Sequence, residues 1–65
     1  MTETAWLRRS AGQGSPKAQS LLGIAYEQGA GTEQSDAESL AWYMKAVNGG
    51  NADAQGNVGR MFPLV

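Results

Sequence analysis

Cysteine and histidine are both missing from the 65 residues. Without cysteine there is no disulfide framework, and without either residue a structural zinc site would have carboxylates alone to rely on. Neither usual staple of a very small domain is therefore at hand. The same gap removes the commonest general bases and the activated thiol. No paired carboxylates stand at a convincing spacing either, so the sequence predicts no enzyme, with no catalytic residue, cofactor or metal ligand. An excess of positive charge is lacking too: five Lys+Arg face six Asp+Glu, which leaves no basic field for a phosphate backbone and makes nucleic acid a poor partner. No stretch approaches the ~18 apolar residues of a membrane helix, and Met1 to Arg9 lacks the basic-then-apolar pattern of a secretion signal. The expected setting is soluble and cytoplasmic, with no membrane insertion.

What is present must fold with little material. A chain of this length buries only ~60% of the surface that its unfolded form exposes, so its core is thin, and association with another chain is the remaining route to stability. The sequence reads as one domain spanning 1–65.

An internal repeat organises the domain. A shift of 36 residues places Ala5-Trp6 on Ala41-Trp42, Gly14 on Gly50, Ala18-Gln19 on Ala54-Gln55 and Gly23 on Gly59. Arg9 with Lys45, Leu22 with Val58 and Tyr26 with Phe62 are conservative matches in the same register. A fixed period in the range of ~20 to 50 residues marks solenoid architectures.

Each unit reads as two helices. Ser15-Pro16 is a helix start, with the serine oxygen free to accept from backbone N–H groups and proline suited to the first helical position. Gly29 is the matching stop, and Ala18, Leu21, Leu22, Ala25 and Tyr26 recur at three- and four-residue steps as one apolar face. After a polar loop, Ser35-Asp36-Ala37-Glu38 fits a reciprocal capping box. Ala37, Leu40, Ala41, Met44 and Val47 would then line the buried side of the next helix, flanked by Trp42 and Tyr43, until Asn48-Gly49-Gly50 ends it. Asn51 can cap one more helix, and Ala5 to Ala11 is the remnant of an earlier one. The expectation is all-α: a short α-α superhelix, or solenoid, of antiparallel hairpins with about four helices (2–11, 16–28, 36–48 and 52–62) and fewer than two full repeats.

The string Gly14, Ala18-Gln19, Leu22-Gly23, Tyr26, Gly29-Ala30-Gly31, Asp36, Ala41-Trp42-Tyr43-Met44-Lys45-Ala46, Gly50, Ala54-Gln55 resembles the Sel-one-like repeat, a relative of the tetratricopeptide repeat. It runs through nearly the whole chain. The resemblance implies an adaptor or scaffold that acts through protein contacts and has no catalysis of its own. Against the pattern, Gly56 joins Gly59 in the last helix, which weakens it by ~1 kcal/mol per glycine relative to alanine, and Pro63 stands where the first repeat has Glu27.

Several features have competing readings. Gly23 and Gly59 lie mid-helix, where a missing Cβ would let a facing helix approach at its Ala41 or Trp42 level; contact with a ligand is the alternative. Gly12-Gln13-Gly14-Ser15-Pro16-Lys17 precedes a helix but lacks the P-loop spacing, so it reads as a turn between repeats. Trp6, Trp42, Tyr43 and Tyr26 occupy packing positions rather than an aromatic binding box. Glu27, Glu33, Asp36 and Glu38 gather near one loop, and Asp36 and Glu38 already have first-turn roles there.

Surface remains. In related arrays the first helix of each hairpin lines the concave side, which here presents Lys17, Ser20, Ile24 and Gln28, with Leu21 at the margin. Their counterparts one repeat on are Asp53, Gly56, Arg60 and Leu64, with Asn57 beside them. Ile24 is apolar where folding needs no apolar residue, and the tail Met61-Phe62-Pro63-Leu64-Val65 is apolar throughout. The protein-binding candidates are therefore Lys17, Ser20, Leu21, Ile24, Gln28, Asp53, Asn57, Arg60, Met61, Phe62, Leu64 and Val65. The partner is another protein, with the chain as a small adaptor or accessory subunit, or a second copy in a homo-oligomer; a regulator or inhibitor of an enzyme complex is a third possibility.

Overall fold

Ser15 accepts a hydrogen bond from the Ala18 amide at 3.3 Å, and Pro16 takes the first helical position behind it. This is the start that the side chains dictate, and it opens the second of four helices in the computed structural model, which describes residues 3–61, with side chains from Thr4. The helices are α1 (Glu3–Gly12), α2 (Pro16–Gln28), α3 (Asp36–Asn48) and α4 (Ala52–Met61), with no strand among the described residues. The expected bounds of α2 and α3 agree with these. For α1 the helix runs one residue further, through Gly12; its expected start at residue 2 and the expected end of α4 at Phe62 lie outside the described residues.

The stops follow from glycine. Gly29 sits at φ 69°, a left-handed conformation that lets the Ala30 amide reach back to the Ala25 carbonyl at 2.9 Å. After α3 the left-handed residue is Gly50, at φ 93°, and the Asn51 amide closes onto the Ala46 carbonyl at 2.9 Å. Asn51 then caps α4 by accepting from the Ala54 amide at 2.9 Å. The capping box at α3 is only half formed. Ser35 Oγ accepts from the Glu38 amide at 3.2 Å, but the Ser35 amide donates to the Tyr26 carbonyl at 2.9 Å instead of to Glu38. A backbone acceptor on α2 has displaced the local one, and it ties the start of α3 to the end of its neighbour.

Each helix packs on the next in the chain, α2 on α3 most extensively. The Cα radius of gyration is 11.0 Å and the principal axes measure 41 × 23 × 14 Å, a body about two helix layers deep, since packed axes lie ~8–10 Å apart and each Cα cylinder adds a radius of ~2.3 Å. The core is correspondingly split. Ala11, Ala18 and Leu22 form one cluster, against which Leu7, Tyr26 and Trp42 pack; Tyr43, Ala46 and Ala54 form the other, with Ile24, Val47, Val58 and Met61 around it.

Two expected faces need correction. On α3 the buried residues are Ser39, Tyr43 and Ala46, whereas Ala37, Ala41 and Met44 are exposed and Leu40 and Val47 only half-buried. The helix is rotated so that its polar Ser39 goes inside. It can do so because Ser39 Oγ donates to the Gly23 carbonyl at 2.7 Å, which removes the penalty of burying a hydroxyl. On α2, Leu21 is exposed while Ser20 is only 5% exposed.

The close approach expected at Gly23 exists, one residue along from the anticipated level. A Cβ built on Gly23 would stand 2.6 Å from Tyr43 Cδ1, so the glycine makes room for the tyrosine ring. Among the described residues, Gly59 has no such neighbour within 4 Å.

Candidate functional site

α1 and α2 are joined through a buried polar contact, Gln19 Nε2 donating to the Ala11 carbonyl at 3.1 Å, and through the Leu22 cluster. On the far side of that contact the two helices splay into a groove. Trp6, Leu7 and Ser10 form one wall, and Lys17, Ala18 and Leu21 the other, around about 630 Å³. A second hollow of about 360 Å³ adjoins it, because Trp6, Leu7 and Leu21 line both, and extends it to Thr4, Ile24, Ala25 and Ala30.

The groove is apolar and open. Trp6 is 60% exposed and Leu21 is 41% exposed, so two large apolar side chains stand largely uncovered on facing walls. Lys17 is the one charged residue among those lining it. Arg8, on the same helix as Trp6, is engaged elsewhere: its guanidinium donates to Tyr26 Oη at 2.8 Å and to Thr32 Oγ1 at 3.1 Å. The sequence placed Trp6 in helix packing together with Trp42, Tyr43 and Tyr26. Those three do pack, but Trp6 does not. Trp42 rests on the Ala11–Ala18–Leu22 cluster, with the Lys45 ammonium 4.4 Å from its ring centre; no described helix lies over Trp6 in the same way.

The candidate binding residues divide accordingly. Lys17, Leu21 and Ile24 come together in the groove, but half-buried Ile24 also packs on the second core cluster, so it is not the apolar residue without a folding role that the sequence suggests. Ser20 turns inward and leaves the stripe, while Gln28 is exposed beyond the lining residues. On α4, Asp53 and Arg60 are exposed and Asn57 and Met61 half-buried. Met61 contributes to the second cluster, with its Sδ 3.9 Å from Ser39 Oγ, so it serves the core rather than a free surface. Phe62, Leu64 and Val65 lie outside the described residues.

One polar constellation escaped sequence reasoning. Glu27 of α2 receives both arms of the Arg60 guanidinium, at 2.8 and 2.9 Å, and the Tyr43 hydroxyl at 2.8 Å. Arg60 and then Tyr43 hold the Glu27 carboxyl below its ordinary range. Burial, then the hydrogen bond to Glu27, pushes the Tyr43 hydroxyl up to about 12. A signal for the ion pair does exist in the sequence. Glu27 and Arg60 are 33 positions apart on helices that the 36-residue register makes equivalent, three short of the full shift. The arrangement ties three helices together with opposite charges already satisfied and leaves no free nucleophile or base. Among the described residues, no three carboxylates gather closely enough to hold a metal ion, and no helix is long and apolar enough to cross a membrane. No family model matches the chain, and no curated protein or solved structure matches it.

Proposed function

We propose that the chain is a protein-interaction module of the helical-repeat kind, similar to Sel-one-like repeats. In this reading its four helices form a short superhelical stack of hairpins, and the α1–α2 groove receives an apolar helix face of another protein chain. The observation that carries the reading is Trp6: a tryptophan left 60% exposed, facing a Leu21 that is 41% exposed across an apolar groove. Isolated exposed apolar residues are ordinary, but two that converge on one concavity resemble the buried aromatic anchors of interaction sites. The internal 36-residue register supports the helical-repeat part, and the absence of histidine and cysteine supports binding without catalysis. The role is that of an adaptor or accessory subunit in the cytoplasm.

A photoreactive amino acid placed at Leu21 tests this in the native host, with one at exposed Glu38 as the control position. The reading requires a discrete protein adduct at Leu21 that is lost in a Trp6→Glu background and is not formed from Glu38. If Leu21 yields no adduct, or the same adducts as Glu38, the groove is not a docking site.

A further inference from the structure

The chain contains its own example of how a helix fills such a groove. A shift of 36 residues carries Trp6 to Trp42, Leu7 to Tyr43, Leu21 to Asn57 and Ile24 to Arg60, so the α1–α2 groove is the counterpart of the surface that α3 and α4 present to α2. That surface is occupied by α2. Gly23 admits the Tyr43 ring, Trp42 packs on Ala18 and Leu22, and Glu27 meets Arg60.

Resting on the docking role argued above, we infer that the α1–α2 groove of one copy receives helix α4 of a second copy, which docks as α2 docks on α3 and α4. The substitutions between the two halves agree with this occupant. Gly59 replaces Gly23 and has no described atom within 4 Å of where a Cβ would point, which suits Leu7 in place of the Tyr43 ring. Half-buried Val58 replaces Leu22 in the bed for the tryptophan, whereas Ala54, the counterpart of Ala18, is already covered within its own chain. Charge is exchanged in pairs: the groove has Ile24 where the internal surface has Arg60, and the sequence has Pro63 where α2 has Glu27, so neither an orphaned cation nor an orphaned anion would be trapped. Carrying the 33-residue offset of Glu27 and Arg60 across the junction sets Gly56 of one copy opposite Lys17 of the next, with Asp53 one turn away. The one cation of the groove thus faces a helix that carries a carboxylate. The contact is head-to-tail, so it propagates and does not close at two copies unless the rotation happens to form a ring.

Sedimentation of the full chain from about 1 μM to about 1 mM tests the inference across the affinities ordinary for such contacts. Trp6→Glu blocks the groove and Gly59→Tyr blocks α4. Circular dichroism should find both as helical as the parent, because Trp6 is largely exposed and a Cβ at Gly59 meets no described atom within 4 Å. The average mass of the parent should rise with concentration, and each variant alone should lose more than about tenfold in association constant. A 1:1 mixture of the two should form a dimer and stop there, since it has one intact groove and one intact α4 that can meet. A parent chain that stays monomeric throughout overturns the inference, as does a mixture that does not pair. Should Trp6→Glu abolish the Leu21 adduct while Gly59→Tyr self-associates like the parent, α4 is not the occupant and the groove still docks a protein.

Discussion

Gly23 and Gly59 are equivalent positions one repeat apart, yet the structure gives them opposite roles. At Gly23 a Cβ would lie 2.6, 2.7 and 3.0 Å from Tyr43 Cδ1, Cε1 and Cγ, and that ring is fully buried and cannot swing away. Gly23→Ala therefore overpacks the core and should destabilise the fold by about 1–3 kcal/mol, even though alanine is the better helix former. Gly59→Ala meets no described atom within 4 Å and restricts the unfolded chain, so at low protein concentration it should stabilise the fold by roughly 0.5–1 kcal/mol. Urea unfolding of the two variants checks both signs; a gain at Gly23 or a loss at Gly59 would contradict the packing described. The repeat marked both positions as places for close approach. It could not tell that one of them has its neighbour and the other does not, because that depends on which helices are present rather than on the residue.

At the scale of helices, α2 and α3 were legible because their boundaries rest on local chemistry: Ser15 with Pro16, Ser35, Gly29 and Gly50 act within one turn of themselves. The buried face of α3 was not legible. Its apolar positions Ala37, Leu40, Ala41, Met44 and Val47 follow a helical spacing, but small and polar residues fit better against a glycine. Ser39 and Tyr43 fill the space beside Gly23, and long-range hydrogen bonds settle their polar atoms. The groove was half legible: Lys17, Leu21 and Ile24 lay on the expected stripe, but its other wall, Trp6, had been assigned to packing, since periodicity does not report whether a covering helix exists. Helix α4 is the weak element. It carries Gly56 and Gly59, contributes only Ala54 to the fully buried set and packs on α3 alone with any breadth. Hydrogen exchange should accordingly find the α4 amides opening at lower free energy than those of α2 and α3. Equal protection in all four helices would contradict this ranking.

For the molecule as a whole, Glu27, Tyr43 and Arg60 join α2, α3 and α4 and make stability depend on pH at both extremes. The Glu27 carboxyl is held below its unfolded value by Arg60 first and Tyr43 second. Its contribution is thus present above the ordinary carboxylate pKa and is lost as pH falls through the depressed one. Tyr43 is raised from 10.0 to about 12, with burial the larger cause. Its contribution is complete below pH 10 and disappears as pH rises toward 12. Melting temperatures across pH should therefore fall on both limbs, and Glu27→Gln should flatten the acid limb while leaving Tyr43 buried. In a Tyr26→Phe background, absorbance at 295 nm should titrate near 12; a midpoint near 10 would mean that the hydroxyl is not held as described.

The same tyrosine has a practical consequence. Burial is the larger cause of its shift, and Ala54, Val58 and Met61 of α4 share its cluster, so an optical titration of one phenol gauges whether that end of the molecule is seated. Loosening that end, by substitution or by dilution, would register as a drift of the phenol toward its solution value, with no label attached.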